Sequence, residues 1–239
     1  MTLRKHIPNF ITSMNLVCGL IGVIFAFEAR LDLAFYCMLT AAVFDFLDGF
    51  AARLLDAYSD MGRELDSLCD LVSFGVLPGL MLCRLMQIFR FGDGWLCWLP
   101  LVLAVFSALR LAKFNVDARQ ADGFLGLPTP ASALLGGALC CYCSYSPVAF
   151  LSTWVAGPVF VPLLTLCLCV LLVCELPMFS FKFHKEDGKT LQIKRLTLVI
   201  FVLAALVFCL VAGHHWSLAV LLGLAFYILN NLVYALFKL

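Results

Sequence analysis

Charge is scarce in this 239-residue chain: Asp, Glu, Lys and Arg make up 13% of it, against about a quarter in soluble globular proteins. The net charge is +1, which excludes the broad basic field that a nucleic-acid partner needs. No tandem repeat, low-complexity tract or polar domain interrupts it. The longest polar stretch, Lys182 to Lys189, reads as a connector between helices. No pair of CxxC motifs has zinc-site spacing, and most of the 12 cysteines stand inside apolar runs, where Cys acts as a small hydrophobe. The first apolar stretch, Ile7 to Phe27, has no small-residue cleavage site behind it, so it reads as a retained span and not a signal peptide.

What the chain has in abundance is apolar side chain, 64% of all residues. A soluble protein of this size could not hide so much, and insertion into a membrane follows. Runs of about 20 apolar residues recur from end to end. The expected spans are 9–28, 31–55, 63–88, 94–116, 129–146, 150–176, 192–212 and 215–236. Eight spans place both termini on one side. That side collects Arg4, Lys5, Arg53, Arg63, Arg110, Lys113, Arg119, Lys182, Lys185, Lys189, Lys194, Arg195 and Lys238, and leaves only Arg30, Arg84 and Arg90 opposite. By the positive-inside rule the first side is cytoplasmic.

Against this background the acids are informative, because a carboxylate in or near a span is expensive and needs a partner. Asp45 and Asp48 are i, i+3 at the end of the second expected span. Asp66 and Asp70 are i, i+4 on the third. A turn around Ala57 to Met61 would fold the two spans into a hairpin and bring the acids together. Four carboxylates in one pocket need compensating charge, and hard oxygen ligands in that number suit Mg²⁺ or Mn²⁺. A pair of such ions is the arrangement of phosphoryl-transfer sites. Gly49, Ala52 and Gly62 interleave with the acids; they either let the helices pack closely or leave room for a nucleotide. Arg53 can pair with a carboxylate or clamp a diphosphate.

The pattern D-x2-D-G-x2-A-R-x8-G-x3-D-x3-D, from Asp45 to Asp70, resembles the signature of the CDP-alcohol phosphotransferases at every position. The resemblance implies a membrane enzyme that opens the pyrophosphate of a CDP-linked donor, passes the phosphoryl group to an alcohol and releases CMP. It further implies that Asp45, Asp48 and Asp66 hold metal, while Asp70 both contacts the second metal and serves as base. CDP-lipid contacts would fall on Gly49, Arg53 and Ser59. Upstream, Pro8-Asn9-x2-Thr12-x2-Asn15 is similar to a family motif whose polar side chains approach the donor; alternatively, Asn9 caps the first span.

Three later blocks are similar to the branch of the family whose acceptor is serine: Leu71-Val-Ser73-Phe-Gly75-Val-Leu-Pro78, Leu109-Arg110-Leu-Ala-Lys113-Phe-Asn115 and Phe124-Leu-Gly126-Leu-Pro128-Thr-Pro130. At Lys113 that branch more often carries Arg. A zwitterionic acceptor needs a cation for its carboxylate, which Arg110 or Lys113 can supply, and an acceptor for its ammonium, for which Ser73 or Asn115 is placed. The alternative for the two cations is snorkelling to the cytoplasmic surface. No HxK motif is present, which excludes phosphohistidine chemistry; His184-Lys185 and His214-His215 do not supply it.

The expectation is an all-α integral membrane protein of about eight transmembrane helices with the CDP-alcohol phosphotransferase fold. Residues 1–239 would form one transmembrane catalytic domain, its signature segment 45–70 spanning the second and third helices. The reaction implied is phosphatidyl transfer from CDP-diacylglycerol to L-serine, with two Mg²⁺ or Mn²⁺ ions and no nucleic-acid partner. The membrane is of the bacterial inner or plasma type, with the active site and both termini cytoplasmic. Family resemblance alone implies a homodimer. The nearest alternative keeps the family and changes the acceptor or lipid (an archaetidylserine or a phosphatidylglycerophosphate synthase). From a different class comes a divalent-cation transporter, against which stands the clustering of the acids toward one membrane face.

Overall fold

The computed structural model describes residues 6–88, 94–117, 124–145, 159–178 and 189–237. Helix α1 (His6–Phe27) turns at Glu28–Arg30 into α2 (Leu31–Leu54). The turn closes with Ala29 in the left-handed region (φ 61°), its amide and that of Arg30 capping carbonyls of the last turn of α1. Small residues on α1 let its neighbours approach. A Cβ on Gly22 would lie 2.7 Å from Leu77 Cδ2 and 3.2 Å from Cys37 Cβ, the small-residue packing common between membrane helices.

A third long helix runs from Asp60 to Ile88 in three parts: α3 (Asp60–Asp70), a π-helical stretch (Leu71–Val76) and α4 (Leu77–Ile88). Ser59 caps its start, accepting the Gly62 amide at 3.0 Å. The connector therefore ends at Ser59, and Met61 already belongs to the helix. The π-helical stretch begins immediately after the last acid of the signature, a placement such segments often take at functional sites. A 3₁₀ segment (Trp95–Leu101) leads into α5 (Val102–Val116).

Helix α6 (Thr129–Tyr145) is the centre of the bundle, with twelve of its 17 residues buried. It packs against α2, α4 and α9 (Ser217–Phe237). Its small residues make this possible: a Cβ on Gly137 would meet Phe35 Cδ2 at 2.7 Å. Helix α7 (Phe160–Val173) ends in a loop that pairs back on the chain. There β1 (Phe124–Leu125) and β2 (Pro177–Met178) form a two-residue antiparallel ribbon, Phe124 opposite Met178, an element the helical pattern did not announce. Helix α8 (Lys189–Ala212) returns through Gly213 (φ 69°) to α9, against which Phe201 stacks on Phe226 at 4.2 Å.

Among the described residues the protein is all-α apart from that ribbon. Six helices among the described residues are long and apolar enough to cross a membrane, where eight were expected. The difference lies in α6 and α7. Helix α6, with 17 residues, sits at the lower limit for a span of about 17–25 residues, and α7 has 14. Most of α6 is buried against protein, an environment that a hydropathy pattern cannot tell from lipid. Residues 150–158 of the expected sixth span, and 182–188 of the basic connector with His184, lie outside the described residues. Asn9 falls inside α1 and so does not cap it. All twelve cysteines are free thiols.

Candidate active site

The hairpin of α2 and α3 brings three of the four expected acids into one cluster and leaves Asp70 outside it. Carboxylate oxygens of Asp45, Asp48 and Asp66 all lie within 4.8 Å of one another. Asp48 is buried, and Asp45 and Asp66 are half-buried. Asp48 Oδ2 and Asp66 Oδ1 are shielded from solvent and have no hydrogen-bond partner. Facing, unpartnered carboxylate oxygens are unfavourable unless a cation joins them. The donor set of hard oxygens therefore fits a divalent ion such as Mg²⁺ or Mn²⁺.

Asp70 stands one helical turn deeper and is held differently. Its Oδ1 accepts a hydrogen bond from Asn15 Nδ2 at 3.0 Å, across buried space between α1 and α3. Asn15 is itself tied down, since Ser73 Oγ donates to its backbone carbonyl at 3.1 Å. Close approach of the two helices depends on Gly19, where a Cβ would lie 2.3 Å from Ser73 Oγ. The Asn15–Asp70 bond was not anticipated from the sequence. Its signal was the presence of an amide inside an otherwise apolar run, where a polar group needs a partner.

Beside the acids opens a cavity of about 270 Å³. Its walls gather Asn9, Thr12, Gly49, Ala52, Ser59 and Gly62 with Asp48 and Asp66, six of the seven residues expected to contact the CDP-lipid. The two glycines differ in kind. A Cβ on Gly49 would meet nothing within 4 Å, whereas one on Gly62 would press on Asn9 Oδ1 and Ser59 Oγ, both at 3.0 Å. Thr12 donates to the Pro8 carbonyl at 3.0 Å. Arg53, the seventh, is exposed and donates from Nε to the Gly49 carbonyl at 3.0 Å. Among the described residues its guanidinium pairs with no carboxylate.

The residues expected to meet a zwitterionic acceptor divide. Lys113 pairs with Glu175 at 3.2 Å, and Asn115 Nδ2 donates to Ser67 Oγ at 2.9 Å. Ser73 spends its proton on Asn15. Arg110 is 6% exposed; its Nε donates to the Leu127 carbonyl at 2.6 Å and its Nη1 to Thr129 Oγ1 at 3.1 Å. Its Nη2 is buried and has no hydrogen-bond partner. Thr129 and Glu175 were given no role from the sequence, because their partners are 19 and 62 residues away.

Residues 5–162 match the family model described as CDP-alcohol phosphatidyltransferase. Three curated relatives carry the name CDP-diacylglycerol–serine O-phosphatidyltransferase. The Bacillus subtilis protein is 32% identical over 184 residues, covering 77% of this chain and 96% of that one. The Mycobacterium bovis protein is 37% identical over 187 residues, covering 72% of this chain and 60% of its own length. The Methanocaldococcus jannaschii protein is 35% identical over 129 residues, covering 54% of this chain and 57% of its own length. The matched region thus spans nearly all of the first relative and little more than half of the other two.

Proposed function

The chain belongs to the CDP-alcohol phosphatidyltransferase family, and we propose that it transfers the phosphatidyl group of CDP-diacylglycerol to L-serine, giving phosphatidylserine and CMP. The observation that carries this reading is the triad of Asp45, Asp48 and Asp66 with two buried, unpartnered oxygens on the wall of a cavity. The names of the relatives supply the acceptor.

Asp45, Asp48 and Asp66 would hold two Mg²⁺ or Mn²⁺ ions, with Asp70 adjoining. When bound, such ions offset the charge of the diphosphate and of the departing CMP. Asn9, Thr12, Gly49, Ala52, Arg53, Ser59 and Gly62 receive the cytidine diphosphate head. The open space over Gly49 supports close approach of a nucleotide to the backbone. Asp70 takes the proton of the serine hydroxyl as its oxygen attacks the phosphorus bearing diacylglycerol. One P–O bond forms to serine, one breaks to CMP, and the proton resides on Asp70. The Asn15 amide orients that carboxylate by occupying Oδ1, which leaves Oδ2 to accept. Arg110 Nη2 meets the serine carboxylate.

Orientation and assembly belong to the same reading. The bias of Lys and Arg supports a cytoplasmic active site with both termini on that side, in a membrane of the bacterial inner or plasma type. Residues 1–239 act as one catalytic domain. Homodimerisation is consistent with the wide apolar faces of α8, which lipid can equally cover.

The test is CMP release by purified protein from CDP-diacylglycerol with Mn²⁺ or Mg²⁺, offered serine, glycerol-3-phosphate, inositol phosphate or no acceptor. Serine-dependent release, lost in Asp70→Asn, is the expected result. Release driven by another alcohol would sink the serine assignment while keeping the chemistry.

A further inference from the structure

Helices α3–α4 and α5 run antiparallel, and two contacts set their register. A Cβ on Gly75 would meet Ser107 Cβ at 3.0 Å, and Ser67 accepts from Asn115. The steps between these contacts are equal, 67 to 75 on one helix and 115 to 107 on the other. Arg110 lies on α5 between these two contacts, and so beside the stretch of the third helix that includes Asp70. A guanidinium at that depth needs its N–H groups satisfied, and it is satisfied on two nitrogens only. The third, Nη2, has no hydrogen-bond partner among the described residues.

The two bonds that Arg110 makes come from one structure, the strap between α5 and α6. Gly126 passes against the end of α7 so closely that a Cβ would lie 2.7 Å from the Cys174 carbonyl oxygen and 2.8 Å from that of Leu172, with φ at +79°. The Leu127 amide donates to the Leu171 carbonyl at 2.8 Å, which aims the Leu127 carbonyl back at Arg110 Nε. Thr129, fully buried at the first turn of α6, fixes Nη1. Across the same strap Lys113 pairs with Glu175.

We propose that Thr129 and the Gly126 strap are positioning elements for the acceptor: they hold Arg110 so that Nη2 is kept for the carboxylate of an amino-acid alcohol. This rests on the serine reading given above. Thr129 touches no substrate; it acts by denying the guanidinium any other rotamer. A planar fork with two donors anchored offers the remaining one in a fixed direction, which discriminates a carboxylate from a neutral substituent. Removing the anchor weakens recognition of the carboxylate and leaves donor binding alone.

The experiment compares serine with ethanolamine, which is serine without its carboxylate, in full-length wild type, Thr129→Val, Thr129→Ser and Gly126→Ala. Wild-type dependence on serine is read first; its absence refutes the function itself and this inference with it. Where serine is used, Thr129→Val is expected to raise the serine KM about tenfold, equivalent to about 1.4 kcal/mol. The serine-to-ethanolamine ratio of kcat/KM should fall to match, with the KM for CDP-diacylglycerol unchanged. Thr129→Ser restores the ratio, and Gly126→Ala lowers it. An unchanged serine KM in Thr129→Val overturns the proposal. So does an equal loss with both acceptors, or failure of both Thr129→Val and Gly126→Ala to fold, since each makes the role purely structural.

Discussion

The third long helix and α8 are both apolar enough to cross a bilayer, yet they meet opposite surroundings. In Asp60–Ile88, 67% of the most apolar window is buried inside the protein, and in α8 only 22%. The buried helix carries Asp66, Asp70 and Ser73, each facing another helix. Helix α8 turns Leu196, Ile200, Leu203, Val207 and Leu210 outward at helical spacing. Lipid tails are as apolar as a protein core, so hydropathy does not separate the two environments. Polar side chains do, because only a protein or water-filled interior can satisfy them.

That contrast can be tested from its strongest consequence to its weakest. Asp66→Asn or Asp70→Asn should each lower kcat for CMP release about a thousandfold, and chelation with EDTA should do the same until Mn²⁺ or Mg²⁺ is restored. Asn15→Leu leaves Asp70 buried without its donor, a loss of about 1.5–3 kcal/mol for a bond to a charged group. It should reduce kcat ten- to a hundredfold without moving the donor KM. Gly19→Ala forces a methyl to within 2.3 Å of Ser73 Oγ; overpacking of this kind costs about 1–3 kcal/mol and should show as a lower Tm in detergent. Leu203→Ala on α8 should change stability by less than about 0.5 kcal/mol and leave turnover alone. A several-fold loss of turnover in Leu203→Ala would break the comparison, by showing that this face packs on a second copy and not on lipid.

Asn15 and Thr129 show where inference from sequence stopped. Both are ordinary polar residues in apolar helices, and each matters through a partner on another helix. Asp45, Asp48, Asp66 and Asp70 could be grouped beforehand, because i, i+3 and i, i+4 spacing on two consecutive helices needs only a hairpin to bring them together. The six long helices were legible in the same way, from runs of apolar residues about 20 long. How far α6 is buried in protein was not legible, since its Gly136, Gly137 and Cys140 are equally apolar to lipid and to Phe35 or Leu82.

The sequence by itself determined the membrane habit, the order of the helices and the set of acids that meet, because these depend on composition and local periodicity. Tertiary structure alone decided which oxygens lack partners, that Asp70 is held by Asn15, and that Arg110 keeps one nitrogen unspent after Leu127 and Thr129 take the others. Those facts depend on contacts between residues 17 to 55 positions apart in the chain. No local pattern encodes such a contact, since a buried donor is satisfied by whatever acceptor the packing of helices brings within about 3 Å.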